Sequence, residues 1–132
     1  MNVGVGASTL TANTTGNYNI AVGGLSLAKN TTGIDNTAVG YAALYTNTTA
    51  NYNTAFGYAS LYTNSTGTYN TAVGVDALNG NTTGSYNTAV GNSLVANTTG
   101  DYNVAIGHRA LLDNTTGASN VCLLYTSPSP RD

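Results

Sequence analysis

Residues 30–46 read NTTGIDNTAVGYAALYT and residues 47–63 read NTTANYNTAFGYASLYT, one 17-residue phrase that recurs from Asn13 to about Val121. A period of this length is the mark of a solenoid, in which each repeat is one coil and neighbouring coils bury what none could bury alone. The fold expected is all-β, a parallel β-solenoid of about seven 17-residue coils. Within a coil the phrase divides into two short strands and two turns. The first strand is Asn-Thr-Ala-Val-Gly (Asn36–Gly40, Asn53–Gly57, Asn70–Gly74, Asn87–Gly91), with β-branched residues two apart, as a pleat requires. The second is expected through Ala42–Thr46 and its copies, anchored by the column Leu27, Leu44, Leu61, Leu78, Leu94 and Leu111. The Asn-Thr-Thr-Gly segment between coils is a turn by composition. A helix fits poorly, because Asn, Thr or Gly interrupts every few positions and no 3.6-residue apolar stripe persists.

Stacking at about 4.8 Å per coil makes a rod on the order of 34 Å long and lines identical side chains into ladders. Asn36, Asn53, Asn70, Asn87 and Asn103 are expected to chain their amides, and Tyr18, Tyr52, Tyr69, Tyr86 and Tyr102 to stack. Asp35 interrupts the tyrosines, Ala50 replaces a turn glycine, and one residue is missing between Gly91 and Leu94. Each coil offers inward one Val, Ile or Phe and one Leu, a small apolar supply against the entropy of ordering a whole coil. Association through one face of the rod, into a homo-oligomer, follows as an expectation.

Only 6% of residues are charged and the net charge is −2. Lys29 and Arg109 are the cations within the repeats, so no basic stripe exists to neutralise phosphates, and a nucleic-acid partner is excluded. The repeat domain is expected over residues 1–121. It opens in mid-phrase, since Asn2-Val3-Gly4-Val5-Gly6 already matches the first strand. Residues 122–132, CLLYTSPSPRD, leave the pattern and are similar to a translated adapter from DNA-library preparation, so they are read as a non-native tail. A single cysteine, Cys122, supports neither a disulfide nor a metal cluster. No signal peptide or membrane-spanning run is visible, so attachment to a membrane would come only through an anchor domain missing from this sequence.

No catalytic or metal set is expected. His108 and Arg109 sit in a variable bend, and Asp35, Asp76, Asp101 and Asp113 occupy scattered positions without calcium-loop spacing. No cofactor is implied. The sequons at Asn13, Asn30, Asn47, Asn64, Asn81, Asn97 and Asn114 read formally as glycan acceptors, but turn chemistry explains their placement. Tyr41, Tyr45, Tyr58 and Tyr62 take equivalent positions in two adjacent coils, opposite the inward Leu44 and Leu61. They are the candidate ligand-binding residues, an outward cluster suited to a glycan or protein surface, or else a cross-strand ladder or a contact between copies in a trimer.

The recurrent Asn-Thr-Ala-Val-Gly-Tyr-x-Ala-Leu, and above all Asn103-Val104-Ala105-Ile106-Gly107, resembles the Asn-Ser-Val-Ala-Ile-Gly repeat of the haemagglutinin-like, or YadA-like, head of trimeric autotransporter adhesins. The resemblance covers nearly all of residues 2–121. It implies a left-handed β-roll, a homotrimer, and display on a bacterial surface for adhesion to a host glycan or protein. The 17-residue period departs from the shorter family repeat. Phage tail-fibre repeats are also similar, so bacterial surface and virion are both open as locations. The expected function is a non-enzymatic adhesin or fibre module. An ice-binding solenoid is the alternative of another class, although the adjacent Thr14 and Thr15 and their copies lie in a turn.

Overall fold

A computed structural model describes residues 1–124. The chain winds into a β-solenoid of about seven coils of 17 residues, with no helix among the described residues. Eight three-residue strands form one parallel sheet in chain order: β1 Val3–Val5, β2 Ile20–Val22, β3 Thr37–Val39, β4 Thr54–Phe56, β5 Thr71–Val73, β6 Thr88–Val90, β7 Val104–Ile106 and β8 Val121–Leu123. Register is that of the repeat, with Ala38 beside Ala55 and Ala55 beside Ala72. Cys122–Leu124, assigned to the tail on their departure from the repeat and their likeness to a translated adapter, continue the ladder: Cys122 pairs with Ala105, and the Leu124 amide donates to the Ile106 carbonyl at 2.8 Å. Val121-Cys122-Leu123 preserves the large-small-large pattern of the other strands, which is why it seats there. The remainder of the expected tail, residues 125–132, lies outside the described residues.

Two expectations are corrected. The strand residues turn the other way, so that Ala21, Ala38, Ala55, Ala72, Ala89 and Ala105 point inward with no exposure, while the Thr and Val, Phe or Ile on either side point outward. Leu27, Leu44, Leu61, Leu78 and Leu94 fill the interior opposite them, as anticipated. A coil this narrow accommodates Leu on one side only with a methyl group on the other.

The second correction concerns Ala42–Thr46, which is not a strand. Alternate residues of this segment have positive φ, for example Ala42 (55°) and Leu44 (51°), and likewise Ala59 (50°) and Leu61 (50°). Each such conformation costs a residue with a Cβ roughly 1–2 kcal/mol. Bonds between coils offset that cost: Ala42 N–H donates back to Gly24 O at 2.9 Å, and Leu44 N–H donates forward to Ser60 O at 3.0 Å. The alternation curls the segment so that Leu44 reaches the axis within few residues, and a pleated strand would run past it.

The bend between strand and curl is the glycine column. Gly57 has φ of +139°, and a methyl group there would strike the Gly74 carbonyl of the next coil. The 16-residue coil absorbs its deletion next to this bend: Asn92 stands at the ladder position of Val75, its carbonyl accepts the Arg109 N–H at 2.8 Å, and its Nδ2 donates to the Val75 carbonyl at 3.1 Å where other coils use the backbone N–H of the residue missing here. Leu78 and Leu94 then remain stacked.

Two asparagine columns complete the interior. Asn53 Nδ2 donates to Gly67 O at 2.8 Å, and its Oδ1 accepts the Asn70 backbone N–H at 2.9 Å. In this strand column the amides therefore serve mainly the backbone. The continuous side-chain chain lies instead in the turn column, Asn30→Asn13, Asn47→Asn30, Asn64→Asn47, Asn81→Asn64 and onward, at 2.8–3.3 Å. No buried side-chain nitrogen or oxygen among the described residues lacks a partner. Asn53→Leu should lower unfolding free energy by roughly 1–3 kcal/mol, since it strands the Asn70 N–H in the interior, while the Gly67 carbonyl keeps its bond from Asn64 Nδ2 at 2.9 Å. Thr54→Val, outward on the same strand, should change it by less than about 0.5 kcal/mol. Urea unfolding of both variants checks the difference.

Candidate functional site

The tyrosine cluster forms. Beyond the glycine bend, Tyr41 stacks on Tyr58 with centroids 5.6 Å apart, and Tyr45 stacks on Tyr62 at 5.1 Å. The curl explains the geometry. Positions 41 and 45 point away from the axis on either side of position 42, whose positive φ carries the chain between them. The two stacks are thus walls, and the methyl groups of Ala42 and Ala59 form the floor of an open trough of about 390 Å³. Tyr41 and Tyr58 are each about half exposed, and Tyr45 and Tyr62 are partly buried.

The trough has distinct ends, which sequence reasoning did not anticipate. At one end the floor column is filled by Leu25, and the Lys29 ammonium sits over the Tyr45 ring at 4.8 Å from its centroid. At the other end the floor position is Asp76 and the wall position is Asn79. Asn79 Nδ2 bridges the Asp76 Oδ1 and the Ala59 carbonyl, both at 3.1 Å. The signal was present in the repeat: aligning coils column by column gives Leu25, Ala42, Ala59, Asp76 for the floor and Ala28, Tyr45, Tyr62, Asn79 for one wall.

A second tyrosine ladder, Tyr52, Tyr69, Tyr86 and Tyr102, runs elsewhere on the coil with centroids 4.8–5.0 Å apart, as expected from its column. Tyr18 stands apart from it across Asp35.

Other candidates are placed as follows. His108 and Arg109 are exposed in the bend of the last full coil, and Asp35 and Asp113 are exposed on separate coils. Asp101 Oδ1 accepts the Ser85 N–H at 2.7 Å, a bond that ties one coil to the next. Among the described residues no group of three or more His, Cys, Asp or Glu side chains could hold a metal ion. The sequon residues Asn30, Asn47, Asn64, Asn81 and Asn97 are buried with their amides spent on the chain described above, so turn chemistry accounts for them in the folded protein. Of the paired threonines, Thr14, Thr31, Thr48, Thr82 and Thr98 donate their hydroxyls to the carbonyl of the next coil. Their neighbours Thr15, Thr32, Thr49, Thr66, Thr83, Thr99 and Thr116 form one exposed file.

No protein-family model matches the chain, and neither a curated protein nor a solved structure matches it. The trough walls are also structural pairs. A double-mutant cycle on Tyr45 and Tyr62, each changed to Ala, should return a coupling of about 0.5–1.5 kcal/mol in thermal or urea unfolding.

Proposed function

We propose that the chain is a segment of a non-enzymatic surface rod, an adhesin or fibre module, whose copies associate through the outward face of the sheet and display the tyrosine trough. The observation that carries this reading is the inversion of the strands. Alanine is inside, and outside run two continuous columns, Val3, Ile20, Thr37, Thr54, Thr71, Thr88, Val104, Val121 and Val5, Val22, Val39, Phe56, Val73, Val90, Ile106, Leu123. Phe56 is 56% exposed in the isolated chain, and no charged residue interrupts either column. The first column carries threonine at Thr37, Thr54, Thr71 and Thr88, but the second is apolar throughout, and a contiguous exposed apolar strip of this kind marks an interface.

A second copy is the natural occupant, because a periodic strip is complementary to itself at the same period. The resemblance to trimeric adhesin heads favours three copies around a common axis in a left-handed roll, exposed on a bacterial surface or a phage tail fibre. The trough lies on the curl, past the glycine bend, and repetition around the axis would multiply its hold on a glycan or protein target. Light scattering on the purified chain should give an oligomer, with three copies expected. Changing Val39 and Val73 together to Lys should yield smaller species, and a folded, monodisperse monomer of the unaltered chain would refute the assembly.

Ice binding is the reading from another class, and the exposed threonine file is the observation in its favour. It is a single file, since the adjacent threonines spend their hydroxyl protons on backbone carbonyls. Ordering water over a surface needs a lattice in two dimensions. A thermal-hysteresis assay should therefore show none.

A further inference from the structure

We infer that the trough formed by Tyr41, Tyr45, Tyr58 and Tyr62 binds an alkylammonium group, carried by a lysine side chain of a partner protein. The inference deepens the display reading by naming the chemistry of what is held, and it rests on that reading for the partner's being a macromolecule.

Charge and shape argue together. The floor of Ala42 and Ala59 and the tyrosine walls are apolar along the length of about two coils, roughly 10 Å. That length fits a four-carbon stem, which gains by burying its methylenes between aromatic rings. Asp76 is the one ionisable carboxylate on the lining, and it stands at the end of the floor. Its Oδ1 is fixed by the Asn79 amide at 3.1 Å, and its second oxygen makes no hydrogen bond among the described residues. An ammonium arriving along the floor would meet a carboxylate oriented by its neighbour, beside the outer rings of Tyr58 and Tyr62.

The protein supplies an internal precedent at the opposite end. There the Tyr45 ring already takes a cation, the ammonium of Lys29 at 4.8 Å. The two ends are thus not equivalent: one is capped by Leu25 and occupied by the chain's own lysine, and the other presents an acid with no cation paired to it among the described residues. A neutral sugar fits less well. Tyr45 and Tyr62 cover one face of each other, and Lys29 lies over a further face, which leaves little ring surface on that wall for a pyranose, and a neutral sugar would leave the Asp76 carboxylate without a counter-charge.

The test is a titration of the whole chain followed by two-dimensional NMR, with the Asn79 side-chain amide and the tyrosine rings as reporters. The probes are Nα-acetyl-lysine amide, the norleucine equivalent, which has the stem without the charge, and a methyl pyranoside. Saturable shifts confined to the trough are expected with the lysine probe. Asp76→Asn, which keeps an acceptor for Asn79, should weaken binding at least about tenfold. Ala59→Leu should abolish it by filling the floor while leaving the fold intact, because Leu25 occupies the equivalent position with φ of 61° against 50° at Ala59. Absence of saturation, equal binding of norleucine, or an unaltered Asp76→Asn variant would overturn the inference, as would tighter binding of the pyranoside. Oligomeric state is measured on the same sample. A monomer that binds lysine would refute the assembly and leave the site standing, whereas an oligomer that ignores lysine would refute the site alone.

Discussion

The buried asparagine amide is the interaction on which the coil depends. Asn47 shows the arrangement: its Nδ2 donates to Asn30 Oδ1 at 2.8 Å and to the Ala50 carbonyl at 3.1 Å. The first bond ties coil to coil, and the second closes the turn within a coil. Neither group has access to water, so losing a partner carries the full desolvation cost of a buried polar atom. Register follows from this. Sliding one coil by a residue would unpair a column of amides and also drive leucines toward the glycine bend. A solenoid with so little apolar volume obtains its specificity from polar satisfaction more than from packing. The shortened coil shows where slack is permitted: it lies between Gly91 and Leu94, in the stretch free of both asparagine columns.

Much of this was legible in the chain. The 17-residue period, the position of the first strand, parallel in-register stacking, the leucine column and the tyrosine ladders all follow from columns of like residues. What misled was the use of alternation to choose an inside. A period of two separates the faces of a strand without saying which is buried. Bulk decides here, because the interior already holds Leu44 and the asparagines and has room for Ala38 but not Val39. The repeats hint at this, since the central alanine stays the same from β2 to β7 while its neighbours range over Thr, Ile, Val and Phe. The curl at Ala42–Thr46 was illegible for a different reason. Positive φ is read from Gly and Asn, and this segment places it on Ala and Leu, where bonds between coils impose it against local preference.

The inverted strand has a consequence for assembly. Ordinary sheet proteins use the larger residue of each alternating pair to build their own core. Here those residues are left outside, and the chain's core is a file of methyl groups facing a file of leucines. A rod built this way has spent only part of its apolar surface on itself. The remainder lies along one face, repeats at the coil spacing and carries no charge, so the association of copies proposed above would complete the hydrophobic burial that a thin coil cannot achieve alone.

Repetition also makes local departures informative. A ladder needs the same residue in successive coils, and a rod that served only as a spacer would gain by keeping every column uniform. The columns at positions 41, 42 and 45 do not. They change together, from Gly24, Leu25 and Ala28 to two coils of Tyr, Ala and Tyr, and then to Val75, Asp76 and Asn79. Each change has a geometric effect: leucine closes the floor, alanine opens it, and aspartate ends it with charge. The next coil then drops a residue at this point, so the floor does not continue. Stacking accounts for the aromatic walls, but stability gives no reason for the small-residue floor between them, since filling it with leucine, as position 25 does, would bury more. The trough is a space kept open within a structure otherwise organised to stack without gaps, and that is the strongest reason to look for function there and not in the ladders that surround it.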